Sequence, residues 1–293
     1  LTPHERMESV YADNQSIGRI NLQKLANVSQ LEARIFLANK RNRGKDLVDA
    51  MAQTDVVALH DWHVPYHDKS ALNCAFTFCE HTKPKIIVVH ECHDFYSLSR
   101  FSKDPARKSD LQYEIDLTSE LLTDLRNRCP GSKIVMLKAN HTDRLQRYLW
   151  NEAPALSSLR SLRIEEVLDL GKLDIEYKPH LVYRQFMFKH GNVVRQDSGY
   201  TAKAELLREG MSGASGHTHR LGSHYRTVRG GKYVWVEGGC LCDLEPEYLD
   251  DNVANWQHGV SVVNFEKEGG QFIAQPIPII DGKMLWGNEL IAA

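Results

Sequence analysis

The chain has no uninterrupted apolar run long enough to span a bilayer, so a membrane-crossing helix is excluded as its organising feature. It also lacks a strong charge of either sign. With 36 basic and 38 acidic residues the formal net charge is −2, and attraction to a polyanion must come from local clusters, not a global field. The six cysteines form no CxxC pair. Together with the polar start Leu1-Thr2-Pro3-His4-Glu5-Arg6, this predicts a reducing, cytoplasmic setting. Cys240-Leu241-Cys242 has no matching partner motif and reads as two buried thiols. Neither an internal repeat nor a low-complexity tract is present.

What the chain does have is length and apolar content, 293 residues at 42% hydrophobic, enough for one large core with a small appendage. The expected division is residues 1–50, a helical segment, and 51–293, the main domain. In the first part Ile20, Leu25, Ala26, Val28, Leu31, Ile35 and Leu37 sit in short helical patterns, and Ser29-Gln30-Leu31-Glu32 reads as a capping box. Two readings stand here: a small helix-turn-helix whose basic end, Lys40-Arg41-Asn42-Arg43-Gly44-Lys45, meets phosphates, or a helical hairpin with a solvated basic face.

In the second part, Asp55–Leu59, Lys85–Val89 and Lys133–Leu137 are short apolar or β-branched runs between polar turns, the pattern of buried strands. Ser109 to Cys129 reads as a helix with Leu111, Ile115, Leu122 and Leu125 on one face and Pro130-Gly131 as its stop. Residues 151–171 break the pattern and are expected to form a cap or loop bordering the site. Leu181–Lys189, Lys232–Val236 and Val260–Phe265 suit strands of a second sheet.

Side chains able to hold metal recur at the ends of these strands. Asp61-Trp62-His63 follows the first, and in extended backbone Asp61 and His63 leave one face while Trp62 packs the other way. His217-Thr218-His219 repeats the spacing. In Asn140-His141 the adjacent side chains diverge, so the amide can coordinate while the imidazole serves as a general acid. His190-Gly191 supplies another strand-end imidazole, and the carboxylate needed between two cations falls within His90-Glu91-Cys92-His93-Asp94. His90, Cys92 and His93 also permit a different liganding arrangement.

Taken in order, these blocks resemble the calcineurin-like metallophosphoesterases, whose motifs are DxH, GDxxD, GNH(E/D), a lone strand-end His and GHxH. The resemblance spans roughly residues 54–264. It implies an α/β fold, a four-layer αββα sandwich of two mixed sheets flanked by helices. It assigns Asp61, His63 and His219 to one metal and Asn140, His190 and His217 to the other, with Glu91 at the bridging position and His141 as the catalytic histidine. Asp94 reads as a hydrogen-bonding residue behind the ligands, of the kind that orients them, and not as a ligand. The cofactor that the resemblance implies is a pair of divalent transition-metal ions, manganese first, with iron, nickel or zinc as alternatives. The reaction it implies is hydrolysis of a phosphoester by a metal-bound water or hydroxide. Three positions depart from the family: His90 replaces Gly, Glu91 is one methylene longer than Asp, and Thr142 replaces the acidic residue.

Arg144 and Arg147 follow His141 and are candidates for substrate phosphate. The stretches after Glu91 and His141 look like those of phage and bacterial metallophosphoesterases. The possible helix-turn-helix, the basic run and Arg100, Lys103, Arg107 and Lys108 lean the substrate towards DNA or RNA. The alternatives are a phosphomonoesterase or protein phosphatase, or a degenerate member that binds metal, DNA or a partner with little turnover. No membrane partner is expected, and oligomeric state is not legible.

Overall fold

The computed structural model describes residues 1–13, 19–29, 33, 36–37, 54–103, 110–246, 249, 253–266 and 270–293. The basic run at 40–45, Arg107 and Lys108, and most of the capping box at 29–32 lie outside these residues. The chain divides into two compact units, Leu1–Gln53 and Thr54–Ala293.

In the first unit, α1 (Pro3–Asp13) and α2 (Arg19–Ala26) pack through Met7, Leu22 and Ala26, joined by Ala33, Phe36 and Leu37. The start of α1 is a reciprocal cap: Glu5 N donates to Thr2 Oγ1 at 3.2 Å, and Thr2 N donates to Glu5 Oε2 at 2.6 Å. Arg6 Nε donates to Ala26 O at 2.9 Å, satisfying a carbonyl at the end of α2. Leu25, expected on the apolar face, is 68% exposed. The inward positions of α2 are Leu22 and Ala26, four apart and therefore on one side of the helix.

The second unit is an α/β sandwich. Its first sheet has six strands in the order β11 (Phe272–Pro278), β10 (Gly259–Phe265), β1 (Val56–Leu59), β2 (Ile86–Val89), β3 (Lys133–Leu137) and β4 (Ile175–Lys178). β1 through β4 run parallel, and β10 is antiparallel to β1. β1 and β2 are buried throughout because both faces are covered, which is why they read as unbroken apolar runs. One face packs under the helices α3 (Lys69–Thr82), α4 (Leu111–Arg128) and α5 (Thr142–Glu152), with Val57, Leu59, Ile87 and Val89 against Phe76, Leu122 and Leu145. α4 carries Leu122 and Leu125 fully buried, as its periodicity predicts.

The opposite face, with Val56, Ala58, Val88 and Val135, meets Phe186, Phe188, Ala214 and Val236 of the second sheet. That sheet has the order β5 (Leu181–Tyr183), β6 (Phe186–Phe188), β7 (Ser212–Ser215), β9 (Gly231–Gly238), β8 (Leu221–Val228). Among the described residues the remaining α-helices are α6 (Ile164–Val167) and α7 (Tyr200–Glu209), and β12 (Lys283–Trp286) and β13 (Glu289–Ala292) form a hairpin. α7 covers the outer face of the second sheet through Ala202 and Leu206 on Trp235.

Three expectations need correction. Val260–Phe265 belongs to the first sheet, where β10 pairs with β1; alternation alone does not say which sheet a strand joins. Leu181–Lys189 is a hairpin, not one strand, turning at Arg184 with φ 53°. Residues 151–171 form two 3-10 turns and α6, and instead of bordering the predicted site they line a separate cavity of about 370 Å³ against α5, with Thr142, Leu145 and Tyr177. Among the described residues, no helix is long and apolar enough to cross a membrane.

Candidate metal centre

Segments that follow β1, β2 and β3 meet segments that follow β6 and β7, so the centre draws its side chains from both sheets. The loops after β1 and β2 stay joined beyond the strands: Trp62 N donates to Glu91 O at 2.7 Å, and Val64 N to Cys92 O at 3.0 Å. Asp61 and His63 do not share the face of an extended strand, as their spacing suggests. Both are left-handed, at φ 48° and 52°, and so are His217 and His219, at 72° and 59°. Side chains two apart still converge, but through turns that aim each one separately. Positive φ in four non-glycine residues is the sort of local strain that clusters at functional sites.

Asp61, His63 and His219 each offer one ligand atom within 4.8 Å of the others, and so do Asp61, Glu91 and His190. These are clusters that could hold a metal ion. Asp61 Oδ2 accepts from His217 N at 2.7 Å, and a Cβ at Gly216 would lie 2.5 Å from that oxygen, which accounts for glycine there. The other oxygen, Oδ1, lies 3.3 Å from His190 Nδ1, and neither buried atom has a hydrogen bond. His63 Nε2 and His219 Nε2 approach to 3.0 Å. Asn140 Oδ1 lies 2.6 Å from His190 Nε2. Glu91 sits between the two groups, with Oε2 at 3.4 Å from His190 Nε2 and 3.9 Å from His63 Nε2. Its Oε1 accepts from His141 N. His217 is adjacent, its ring 5.1 Å from that of His190, but it joins neither group.

The electrostatics fit a cation. Burial pushes the Asp61 carboxyl up to about 7 against the opposing effects of His63 and the His217 amide. Burial, then the charge of Asp61, holds Glu91 well above the carboxylate range. His217 is lowered to about 4 and His190 falls well below its usual value, in each case by burial first and neighbouring imidazoles second. Two buried acids that resist ionising and neutral imidazoles with unpartnered nitrogens form a donor set that a divalent ion would satisfy.

His141 forms a further possible group with His63 and Glu91, and it also stands in a hydrogen-bonded chain. Asp94 Oδ2 is 3.1 Å from His141 Nδ1 and 3.3 Å from His63 Nδ1, while Asp94 Oδ1 accepts from Arg144 Nη1 at 2.7 Å. Arg144 Nη2 lies 2.9 Å from His141 Nε2. A guanidinium has no acceptor, so Nε2 must take the hydrogen bond and the ring proton sits on Nδ1, donated to Asp94. Burial works to raise the Asp94 carboxyl, but the hydrogen bonds and charges of His141 and His63 outweigh it and hold the group far below its ordinary value. Burial lowers His141, and Asp94 opposes that. Asp94 also reaches His63 Nδ1, the kind of outer contact that would orient an imidazole towards a metal and fix its tautomer.

Other predicted positions fall elsewhere. Arg144 is engaged with Asp94 and His141, while Arg147 is 66% exposed and borders a groove with Lys138, Lys189, His190 and Arg208. His90, Cys92 and His93 are not drawn into a donor group among the described residues: the Cys92 thiol reaches Met136 in the core, and the His93 ring stacks 4.0 Å from Phe95. Cys240 and Cys242 are free and buried, and they form a further possible group with His219, whose Nδ1 lies 3.7 Å from Cys242 Sγ.

Several supports carry no motif. Glu237, fully buried, accepts from Thr218 Oγ1 at 2.9 Å and from Gly199 N at 2.6 Å, fixing the turn between His217 and His219. Glu114 accepts from Phe95 N at 2.6 Å next to Asp94, and Trp256 packs 4.4 Å from the His219 ring. An acidic residue inside a strand or helix with no partner near in sequence was the only signal available for Glu237 and Glu114.

No protein-family model matches the chain. It is similar to "Gene 54 protein" of Mycobacterium phage L5, 28% identical over 247 residues, covering 78% of this chain and 94% of that protein. A similar likeness holds for "Gene 54 protein" of Mycobacterium phage D29, at 27% over 244 residues, with 78% and 94% covered.

Proposed function

We propose that the chain is a metal-dependent phosphoesterase whose two divalent ions, manganese being the first expectation, are held by Asp61, His63 and His219 and by Asn140, His190 and His217, with Glu91 shared between them. The observation that carries this reading is the convergence, from both sheets, of two buried donor groups around Asp61 and Glu91, with the His141 imidazole opening on the same cavity. Bound divalent ions would supply Lewis-acid charge to the phosphoryl oxygens and lower the pKa of the attacking water. The chain's own residues do the rest. Asp94 keeps the Nδ1 proton of His141 in place, so His141 serves as general acid once Nε2, which accepts from Arg144 in this structure, has taken a proton from water; Asp94 favours the resulting imidazolium, and Nε2 then gives that proton to the leaving oxygen. Arg144, clasping Asp94 and facing Nε2, fixes the ring's orientation and places a positive charge where phosphate oxygens would lie.

The test is metal analysis after manganese or zinc loading, combined with hydrolysis of bis-p-nitrophenyl phosphate and p-nitrophenyl phosphate. The expected result is up to two ions per chain and metal-dependent turnover, with occupancy of both groups lowered in Glu91→Ala. A protein that takes up no ion after loading overturns the reading. One that binds two ions and cleaves neither ester would be the degenerate member.

A further inference from the structure

The donor groups open into a cavity of about 500 Å³, far larger than a phosphoryl group requires. Its floor includes Glu91, Asn140 and His141. Its wall includes Tyr66, Tyr96 and Phe101. Tyr96 begins a 3-10 turn (Tyr96–Leu98) just after Asp94, and its hydroxyl donates to Ser102 O at 3.1 Å, which closes the loop and carries Phe101 to the rim. Phe101 is 62% exposed at the rim of this cavity. Two cations accompany these rings: Lys103 Nζ lies 5.0 Å from the Tyr96 centroid, and the Arg100 guanidinium lies 5.6 Å from that of Phe101.

Resting on the phosphoesterase reading, we propose that this wall is a nucleobase site, so that the substrate is an unpaired nucleotide unit of single-stranded nucleic acid. The aromatic side lines the same cavity as Glu91, Asn140 and His141, so it faces a group attached to a phosphate held there, and a flat ring is what tyrosine and phenylalanine faces accept by stacking. A phosphorylated serine has no ring to offer them, and the ring of a sugar phosphate is puckered and has no π-face. Lys103 lies over one face of the Tyr96 ring and Arg100 over one face of the Phe101 ring, and these cations suit the phosphates on either side of a base stacked on the opposite face, the combination by which single strands are held without sequence preference. A base inside a duplex cannot reach such a wall without leaving its stack, so paired strands are poor substrates.

The experiment compares two esters that release the same leaving group from the manganese-loaded full chain: thymidine 5′-(p-nitrophenyl phosphate), and methyl p-nitrophenyl phosphate, which lacks the base. The ratio of their kcat/KM values is expected to favour the nucleoside ester at least about tenfold. Because each stacked base is worth about 5- to 150-fold in binding, Phe101→Ala is expected to reduce the ratio by a factor in that range, and Phe101→Trp to restore it. A ratio near one in the native chain, or one unmoved by Phe101→Ala, overturns the base site while leaving the phosphoesterase standing. Should neither ester be cleaved, the phosphoesterase reading fails on its own, and the base site is judged by equilibrium binding of an oligothymidylate against an abasic strand of equal length. Tighter binding of the oligothymidylate, lost in Phe101→Ala, supports the site, and equal binding overturns it. Thymidine monophosphate, run beside the oligonucleotide, separates a free nucleotide from a strand as the source. A phosphopeptide preferred over both nucleotide ligands overturns the proposal.

Discussion

His60 and His90 each stand one residue before a candidate ligand, Asp61 and Glu91, yet they share little with His63 and His141 beyond their chemistry. Their rings lie 4.2 Å apart, fully buried beneath the centre. His60 Nε2 meets Ser261 Oγ at 2.9 Å, and a Cβ at Gly238 would collide with that ring, so the pocket fits an imidazole and nothing more. Neither nitrogen of His90 has a hydrogen-bond partner. Burial lowers His60 to about 3 and takes His90 well below its usual value, which leaves both neutral. His63 and His141 are also disfavoured as cations by burial, but both face Asp94, and their free nitrogens point to other donors and the cavity. Position beside a motif therefore does not make a ligand. What distinguishes the upper layer is convergence on other polar atoms together with access to space.

The sharpest way to break that contrast is His141→Ala. Turnover is expected to fall by about 10²–10⁴, the usual contribution of a positioned proton donor, with metal content near that of the native chain. Metal analysis that drops in step with activity would make His141 a ligand instead. A smaller effect comes from the lower layer, where Glu114 supports Phe95 without meeting the cavity. Burial, then the charge of Asp94, raises its carboxyl to about 7. An acid whose folded pKa is raised stabilises the fold fully below its unfolded value near 4.5 and loses that contribution as pH rises through 7. Denaturant unfolding in chelator should therefore show native stability declining by about 3 kcal/mol relative to Glu114→Gln over that window. Parallel curves for the two proteins would show that Glu114 does not titrate there. The smallest effect is expected for His90→Leu, which removes two unpartnered nitrogens from an apolar site: stability within about 1 kcal/mol of native and unchanged metal uptake. Loss of bound metal in that variant would move His90 into the upper layer and erase the contrast.

Much of the architecture could be read from pattern. Val56–Leu59, Ile86–Val89 and Lys133–Leu137 were legible because a parallel strand covered on both faces has no polar side to interrupt it, and α4 because its apolar positions keep the helical period. The blocks around Asp61, Glu91, Asn140, His190 and His217 were legible because their residue types are uncommon in such positions. The backbone that aims them was not. Left-handed φ at Asp61, His63, His217 and His219 is imposed by the loop pairings and by contacts such as Asp61 with His217 N, which link positions far apart in the chain. Long-range pairing likewise decided that β10 lies beside β1, and burial from several elements at once separated His60 and His90 from the histidines above them.

His63 and His219, which touch at 3.0 Å, are 156 positions apart, and Phe265 N reaches the Asp55 carboxylate across 210. Synthesis delivers Asp61, His63, Glu91, Asn140 and His141 long before the turn that carries His217 and His219. A nascent chain paused just short of that turn carries Asp61, Glu91 and His190 but lacks His217 and His219, and β1 waits longer still for β10 to cover its edge. Contacts of such sequence separation close slowly and as a unit. The group of Asp61, His63 and His219 consequently comes together only after β7 has been made, and no amino-terminal fragment ending before β7 can carry it.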